Sequence, residues 1–408
     1  MVRHANGRMV DLVSAYARPE KMQRGGSQPT VPEGTGAGWE VSGSEPHRLE
    51  VVTCSHSLTF IPTYSCLFAC GYCAFARPTP LASLEAAASC FVRGKQAGCH
   101  EALIMSGEGV MAFPRLRATL VAWGFRDYHD YLSAVCRLAL EQGLLPHINI
   151  GNQTEEEFRR LRPVCVSMGM MLETTSRELL RQPAHQHAPG KAPHLRLATL
   201  AAAGRAQVPF TTGLLIGIGE TPADREASLE AIAELHHQYG HIQEVILQPF
   251  VPHPGTAMAD WTGPDVPTLA AVVRLARAIL PSDVVIQIPP NLVPEAADRR
   301  ELVLAGARDL GGISPEPDQI NPDAPWLAPA RYAAELAAWG FVLRPRLAVY
   351  PRFQTRAWLD TAVYDLVRSR QAELDALGAI VPVPAVEVPA VDAPGGQTCR
   401  THTPRARR

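Results

Sequence analysis

The chain has 408 residues, of which 46% are hydrophobic and 19% are charged, and its formal net charge is −2. This composition is typical of a folded globular protein, and a charge this close to zero argues against a nucleic-acid partner. The sequence lacks an apolar run of about 18 residues, so no membrane span is expected, and its first residues lack the continuous apolar segment of a signal peptide. We therefore expect a cytoplasmic protein, in which clustered cysteines are metal ligands or catalytic groups rather than disulfides.

The two ends of the chain differ in composition from its middle. Residues 18–48 are rich in Gly, Pro and Ser, which predicts an irregular N-terminal extension over residues 1–50. The last part of the chain is rich in Pro and ends with basic residues, a composition that buries little apolar surface. We expect one domain over residues 51–355, followed over residues 356–408 by a helix and a flexible tail.

Between the ends, short apolar runs alternate with helical patterns. The run "SLTFIP" precedes the helical pattern "LASLEAAASCFVRGKQAG", and "EALIMSG" precedes a helix that ends at Gly143. The later apolar runs are "LLPHINI", "VCVSMGMML", "VPFTTGLLIGIG", "IQEVILQPF", "VVIQIPP" and "DLGGIS". About eight β/α pairs with nearly continuous apolar strands predict a parallel sheet covered by helices. We expect a (β/α)8 TIM-type barrel with its active site at the carboxyl ends of the strands. An open, doubly wound sheet is the alternative.

Three cysteines, Cys66, Cys70 and Cys73, follow the first predicted strand with C-x3-C-x2-C spacing. Zinc normally takes four ligands, often from two C-x2-C pairs, and only one such pair is present here. Three thiolates on one loop instead suit three irons of a 4Fe-4S cluster, whose fourth iron stays open to a non-protein ligand. We therefore predict that these cysteines are catalytic iron ligands, and structural zinc is the alternative.

The cysteine loop after the first strand of a βα barrel resembles the radical S-adenosylmethionine (SAM) superfamily. Two further segments match that pattern, "MSGEG" at the end of the second strand and "GLLIGIGE" over residues 213–220. The resemblance implies that a reduced cluster cleaves SAM to methionine and a 5′-deoxyadenosyl radical. The cofactor-binding residues that it implies are Ser106, Gly107, Glu108, Glu173, Arg196, Gly213, Gly217, Glu220 and Gln248.

Over about residues 50–353 the chain resembles the CofG family of FO synthase subunits. The matching segments include "SMGMMLETTS", "HAPGKAPHLRL", "YGHIQEVILQPF" and "RLAVYPRF". The resemblance implies that the substrate is the adduct of tyrosine's hydroxybenzyl group with a ribityl-diaminouracil, and that the products are the deazaflavin FO, 5′-deoxyadenosine, methionine and ammonium. It also implies that a CofH-type enzyme supplies the adduct and that a ferredoxin- or flavodoxin-like protein supplies the electron.

The chain departs from the family pattern at Ala74, after Glu108 and at Pro249. Two alternatives therefore stay open, a CofH-like or futalosine cyclase-like enzyme with another substrate, and a scaffold that holds Fe-S or zinc without catalysis. Polar residues at or near the predicted strand ends are candidates for contact with the substrate. They are His147, Asn149, Ser167, Gln248, Gln287 and Ser314.

Overall fold

The computed structural model describes residues 2–3, 9–10 and 50–380. Most of the predicted N-terminal extension and the Pro-rich part of the predicted tail lie outside the described residues. A helix is found within the predicted C-terminal segment, and the division at residue 355 stays a prediction.

The strands are β1 Val2–Arg3, β2 Met9–Val10, β3 Glu50–Phe60, β4 Glu101–Met105, β5 Leu145–Asn149, β6 Ser167–Gly169, β7 Phe210–Ile216, β8 Ile242–Pro249, β9 Val285–Gln287, β10 Asp309–Ile313 and β11 Phe341–Arg346. The α-helices are α1 Leu84–Gln96, α2 Pro114–Ala122, α3 Tyr128–Glu141, α4 Glu155–Leu161, α5 Pro193–Arg205, α6 Pro222–Tyr239, α7 Val266–Ile279, α8 Ala296–Ala305, α9 Pro329–Ala338 and α10 Thr361–Leu377.

The large sheet closes on itself. Its strand order is β10-β9-β8-β7-β6-β5-β4-β3-β11, and β10 also pairs with β3. The pairs within it are parallel. Eight strands, β3 to β10, thus form a closed parallel barrel, which confirms the predicted fold class over the open-sheet alternative.

An additional strand, β11, lies below β4 at the amino end of the barrel. It pairs with residues 50–55 of β3, whereas β4 pairs with residues 57–60 of the same strand. The sequence analysis did not predict this strand. Because β3 has 11 residues, it is long enough to hold two partners in succession along one edge.

Helices surround the barrel, and the main core lies between them and the strands. Phe91 of α1, Leu132 of α3 and Phe210 of β7 are fully buried in this layer. Several helices begin at a side chain that accepts a backbone N–H, such as Thr154 before α4 and Thr221 before α6. None of the helices in the described part of the chain has the length and apolarity needed to span a bilayer.

Strand β6 is shorter than the apolar run that predicted it. Only Ser167–Gly169 is assigned to the strand, and the chain then makes an isolated bridge from Glu173 to Leu214 of β7. Glu173 has a φ of 67°, a left-handed conformation that is rare for residues other than glycine. Such conformations concentrate at functional sites, where the surrounding structure holds them.

Candidate active site

A cavity of about 390 Å³ lies inside the barrel. Its wall includes Cys66 and Glu108 at the carboxyl end of the strands, Gln287 midway, and Glu244 and Arg346 at the amino end. Its volume falls within the range of about 300–1,000 Å³ that is usual for small-molecule sites. The cysteine loop and the barrel interior therefore share one cavity.

The cysteine loop follows β3 and is held by contacts from neighbouring loops. Leu67 N donates to Glu108 O at 2.8 Å, and Gly71 N donates to Ala184 O at 3.0 Å. Cys66 and Cys73 line the cavity, and burial raises the pKa of the Cys70 thiol to about 12. Cys66, Cys70 and Cys73 are free thiols. Since metal ligation requires the thiolate, the Cys70 thiol would release its proton on binding a metal.

The turn after β4 packs directly against the cysteine loop. A Cβ atom at Gly107 would collide with the backbone of Ser65 and Cys66, so glycine allows this close approach. Glu108 N donates to Cys66 Sγ at 3.3 Å. The predicted cofactor turn is thus joined to the predicted iron-binding loop by packing and by a hydrogen bond.

Four charged side chains form what we call the mouth cluster: Glu108, Glu173, Lys191 and Arg196. Lys191 Nζ lies 2.7 Å from Glu173 Oε1 and 3.8 Å from Glu108 Oε1. Arg196 Nη2 lies 2.5 Å from Glu108 Oε1. Burial raises the pKa of Glu173, but the cations Lys191 and Arg196 outweigh this effect and leave it below its usual value. Glu173 is therefore ionised beside these two cations.

The guanidinium group of Arg196 is incompletely paired. Its residue is 1% exposed, yet Nε and Nη1 are buried without a hydrogen-bond partner among the described residues. Buried, unpaired donors on a charged group are costly, and a guanidinium fork matches the geometry of a carboxylate. Arg196 also lines the cavity. The residues present therefore fit the carboxylate of SAM.

Lys191 was missed as a site residue in the sequence analysis. Its only signal was the basic loop "HQHAPGK" between β6 and α5. From the same loop, His185 is buried and its Nε2 lies 3.3 Å from the Tyr72 hydroxyl, whereas His187 is exposed. Among the described residues, no three His, Cys, Asp or Glu side chains converge on a single-ion site.

The segment "GLLIGIGE" forms the end of β7 and the turn behind the cavity wall. A Cβ atom at Gly213 would collide with Ile246 O, and Gly217 has a φ of 97° beside Pro264. The carboxylate of Glu220 accepts from Gly217 N at 2.8 Å, Ile218 N at 2.9 Å and Arg225 Nε at 2.8 Å. These groups shape the strand and its turn, and their contact with a cofactor stays a prediction.

The structure sorts the predicted cofactor residues into two groups. Gly213, Gly217 and Glu220 do not line the cavity. The predicted cofactor residues on its wall are Ser106, Gly107, Glu108, Glu173, Arg196 and Gln248.

At the amino end of the barrel, Glu244, Asp309, Arg346 and Tyr350 form a second group, the floor cluster. Arg346 Nε lies 2.6 Å from Asp309 Oδ2, and Arg346 Nη2 lies 2.8 Å from Glu244 Oε1. The Tyr350 hydroxyl donates to Glu244 Oε1 at 3.1 Å. Burial raises the pKa of Glu244 to about 8. These residues come from β8, β10, β11 and the turn after β11, so no local sequence pattern indicated the cluster.

The polar candidates for substrate contact differ in whether they line the cavity. Ser167 Oγ donates to Ala348 O at 2.8 Å and lies 2.8 Å from His147 Nδ1, so Ser167 serves the structure. His147, Asn149, Gln248, Gln287 and Ser314 line the cavity.

Comparison with known proteins agrees with this site. No protein-family model matches the chain. The chain is 45% identical over 323 residues to the 7,8-didemethyl-8-hydroxy-5-deazariboflavin synthase of Methanosphaerula palustris, covering 78% of this chain and 96% of that protein. It is 44% identical over 313 residues to the protein of the same name from Methanoregula boonei, covering 76% of this chain and 92% of that protein.

Two solved structures share the fold. HydG, a maturase of the FeFe-hydrogenase, matches with a TM-score of 0.60 at 14% identity, covering 79% of this chain and 70% of that one. Methylornithine synthase (PylB) matches with a TM-score of 0.51 at 16% identity, covering 82% of this chain and 84% of that one.

The closed parallel barrel with this cysteine loop after its first strand is the arrangement that the sequence analysis predicted from the resemblance to the radical SAM class of proteins. Within that class, the length and identity of the matches to the two relatives decide to which family the chain belongs. The chain belongs to the 7,8-didemethyl-8-hydroxy-5-deazariboflavin synthase family. The predicted family resemblance is confirmed.

Proposed function

We propose that this chain is the radical SAM enzyme that closes the deazaflavin ring. Its substrate is 5-amino-5-(4-hydroxybenzyl)-6-(D-ribitylimino)-5,6-dihydrouracil, and its products are FO, 5′-deoxyadenosine, methionine and ammonium. The observation that carries the proposal is the 45% identity to a relative of this name over 96% of the relative's length. Because ammonium leaves as carbon–nitrogen bonds are rearranged, the enzyme is best described as a carbon–nitrogen lyase.

The cofactors that we propose are a 4Fe-4S cluster on Cys66, Cys70 and Cys73, and SAM. Free thiols on one loop that do not converge on a single-ion site suit a cube, in which each sulfur binds a different iron. When bound, the cluster and SAM supply a 5′-deoxyadenosyl radical for hydrogen abstraction.

The residues of the chain would bind and shield the reactants. Arg196 has two buried, unpaired donors for the carboxylate of SAM, and Glu108 and Glu173 have carboxylates for its amino or hydroxyl groups. One part of the cavity wall is apolar and includes Leu103, Met105 and Met171. Thioethers pack well against aromatic rings, which suits the hydroxybenzyl group and excludes water from the radical.

Two partners complete the proposal. A CofH-type enzyme would make the adduct from tyrosine and the diaminouracil, and a ferredoxin- or flavodoxin-like protein would reduce the cluster. The sequence has one cysteine triplet, and the described residues form one closed barrel; together these support one radical step per chain.

Anaerobic reconstitution followed by turnover tests this function. We expect about four irons per chain, and we expect FO and 5′-deoxyadenosine to form from the adduct, SAM and a reductant. Replacing Cys66, Cys70 or Cys73 with Ala should abolish SAM cleavage, whereas the control Cys90→Ala, which removes a buried thiol of α1, should keep both iron and activity.

The order of the two steps is tested with tyrosine and the diaminouracil as starting materials. We expect no FO from this chain alone and FO after a CofH-type enzyme is added. FO formation from tyrosine by the chain alone would show that the step is wrongly assigned. SAM cleavage without turnover of the adduct would point to another substrate, and a single zinc in place of iron would favour the scaffold alternative.

A further inference from the structure

Among the described residues that line the cavity, Gln287 has a buried amide without a protein partner. Gln287, the last residue of β9, is 8% exposed and lines the cavity. Its side chain makes no hydrogen bond to any residue of the described chain, whereas the Gln243 amide bonds to Thr211, Ala348 and Tyr350. Buried amides are almost always hydrogen-bonded. The Gln287 amide is therefore available to a molecule in the cavity.

The backbone of β10 positions this amide. The pairing of β10 with β3 shifts register between Asp309 and Gly312, and Gly311 within this bulge has a φ of 74°. A Cβ atom at residue 311 would collide with Nε2 of Gln287. Glycine at this position therefore lets the amide lie directly against the β10 backbone, where its plane has little freedom.

The floor cluster in turn holds the bulge. Gly311 N donates to Asp309 Oδ1 at 2.5 Å, and Asp309 accepts from Arg346 at 2.6 Å and 2.8 Å. Asp309 is fully buried and is the register partner of Gln287. A buried ion pair thus determines the shape of the backbone against which the amide rests, which makes Asp309 a positioning residue.

Gln287 lies apart from most of the residues predicted to hold SAM, and Gln248 on the neighbouring strand β8 is the exception. Those residues follow β3, β4 and β6 or belong to α5, β7 and β8, whereas Gln287 lies on β9 and rests on β10. This leaves the wall formed by β9 and β10 for the substrate. The polar side chains near this wall include Ser314 and Asn291, and Asn291 Nδ2 donates at 2.8 Å to the carboxylate of Asp318, which also lines the cavity.

We propose that Gln287 determines specificity for the pyrimidinedione ring by binding its cyclic imide edge. The inference rests on the proposed function, which supplies a substrate with that ring. A primary amide presents an acceptor oxygen beside a donor N–H in one plane, and an imide presents the complementary N–H beside a carbonyl. Two parallel hydrogen bonds form when both planes are fixed. The hydroxyls of the ribityl chain rotate freely and gain nothing from a fixed amide plane.

The test compares the adduct with its N3-methyl analogue, in which the imide N–H is removed. In the wild-type enzyme, methylation should raise KM about 10- to 30-fold, since a net neutral hydrogen bond contributes a factor of about 2 to 10 and the methyl group also blocks the second bond. In Gln287→Leu, the KM of the unmodified adduct should rise by a similar factor, and methylation should then change KM by less than about 3-fold, which is the coupling expected of contacting groups.

Two further variants guard against a general structural effect. Gln287→Glu keeps one acceptor oxygen but loses the amide donor, so its KM for the adduct should also rise, with iron content and SAM affinity unchanged. Gln238→Leu, at an exposed position of α6, should behave as wild type with both compounds.

The possible outcomes separate this inference from the function on which it rests. A wild-type enzyme that makes no FO from the adduct overturns the proposed function and the inference with it. A wild-type enzyme that makes FO, combined with a full methylation penalty in Gln287→Leu, overturns the inference alone, because the imide is then bound elsewhere. An equal rise in KM for both compounds in Gln287→Leu would also overturn it.

Discussion

The mouth cluster and the floor cluster are both buried groups of acids and bases, but they differ in completeness. In the floor cluster, Arg346 uses Nε and Nη2 for carboxylates and donates from Nη1 to Leu347 O at 3.1 Å. In the mouth cluster, Arg196 uses only Nη2, and its other two nitrogens are buried without partners among the described residues.

The two clusters therefore have different consequences for the protein. A buried charge whose hydrogen-bonding groups are all paired is compensated by its protein partners, whereas an incompletely paired one gains further stabilisation when a ligand binds. The two clusters are alike in burial, so burial does not separate a binding site from a structural one. The number of hydrogen-bonded nitrogens on the arginine separates the two kinds of site. It predicts that the floor cluster controls stability and that the mouth cluster controls binding.

The largest effect on stability is expected from Arg346→Met. The substitution leaves Asp309 and Glu244 buried without their cation, which should lower the free energy of unfolding by about 3–5 kcal/mol. Urea denaturation of the chain without cofactors measures this effect. The control is Arg344→Met, at an exposed position of the same strand, which should change the unfolding free energy by no more than about 0.5 kcal/mol. Equal losses in the two variants would contradict a structural role for the floor cluster.

The mouth cluster is tested by Arg196→Met. Loss of the charged donors should weaken SAM binding to the cluster-loaded protein by about 10- to 100-fold, the range expected for hydrogen bonds from a charged group. The loss of unfolding free energy should be smaller than in Arg346→Met, because Lys191 still pairs with Glu173. Equilibrium binding of SAM and urea denaturation together measure the two effects.

Arg205→Met is the matched control for this experiment. Arg205 lies at the other end of α5, and its side chain is 47% exposed, so its replacement should leave the affinity for SAM unchanged. If Arg196→Met lost stability to the same degree as Arg346→Met while retaining its affinity for SAM, the contrast between the clusters would disappear.

The smallest effect concerns pH and Glu244. Burial raises the pKa of Glu244 to about 8, above the value of about 4.3 for glutamate in an unfolded chain. The folded protein thus keeps a proton that the unfolded chain releases. The stabilisation from this group is complete below about pH 4.3 and is lost as the pH rises toward 8.

Glu244→Gln isolates this contribution, because the amide imitates the protonated acid and does not titrate. We expect the unfolding free energy of the wild type, relative to the variant, to decline between pH 5 and pH 8 and to level off above pH 8. Glu234→Gln, at an exposed position of α6, should show no such trend. A difference between wild type and Glu244→Gln that rises with pH would show that Glu244 is charged in the folded protein.

Much of the fold and part of the site could be predicted because their signals are local. Apolar runs of strand length between helical patterns indicated the eight strands of the barrel, and the closure of β10 onto β3 confirmed the prediction. The C-x3-C-x2-C spacing placed three thiols on one loop, since eight consecutive residues cannot separate them widely. Glu108 was identified from the turn "MSGEG", and it lines the cavity.

Other functional features could not be predicted because they depend on contacts between distant residues. Arg346 meets Glu244 across 102 positions of the sequence, and no periodicity encodes that pair. Lys191 lies in an irregular loop, and only folding brings it to Glu173. The sequence also could not separate the Gln243 amide, which is fully bonded, from the Gln287 amide, which is free.

By itself, the sequence determined the class of fold and the location of the cysteine loop, because strand periodicity, glycine turns and cysteine spacing act over a few residues. The tertiary structure decided which charged and polar groups remain unsatisfied. Whether a buried donor has a partner depends on side chains from several strands of the barrel, and closure of the barrel alone brings them together. The difference between a stabilising ion cluster and a binding site therefore arises only in the folded protein.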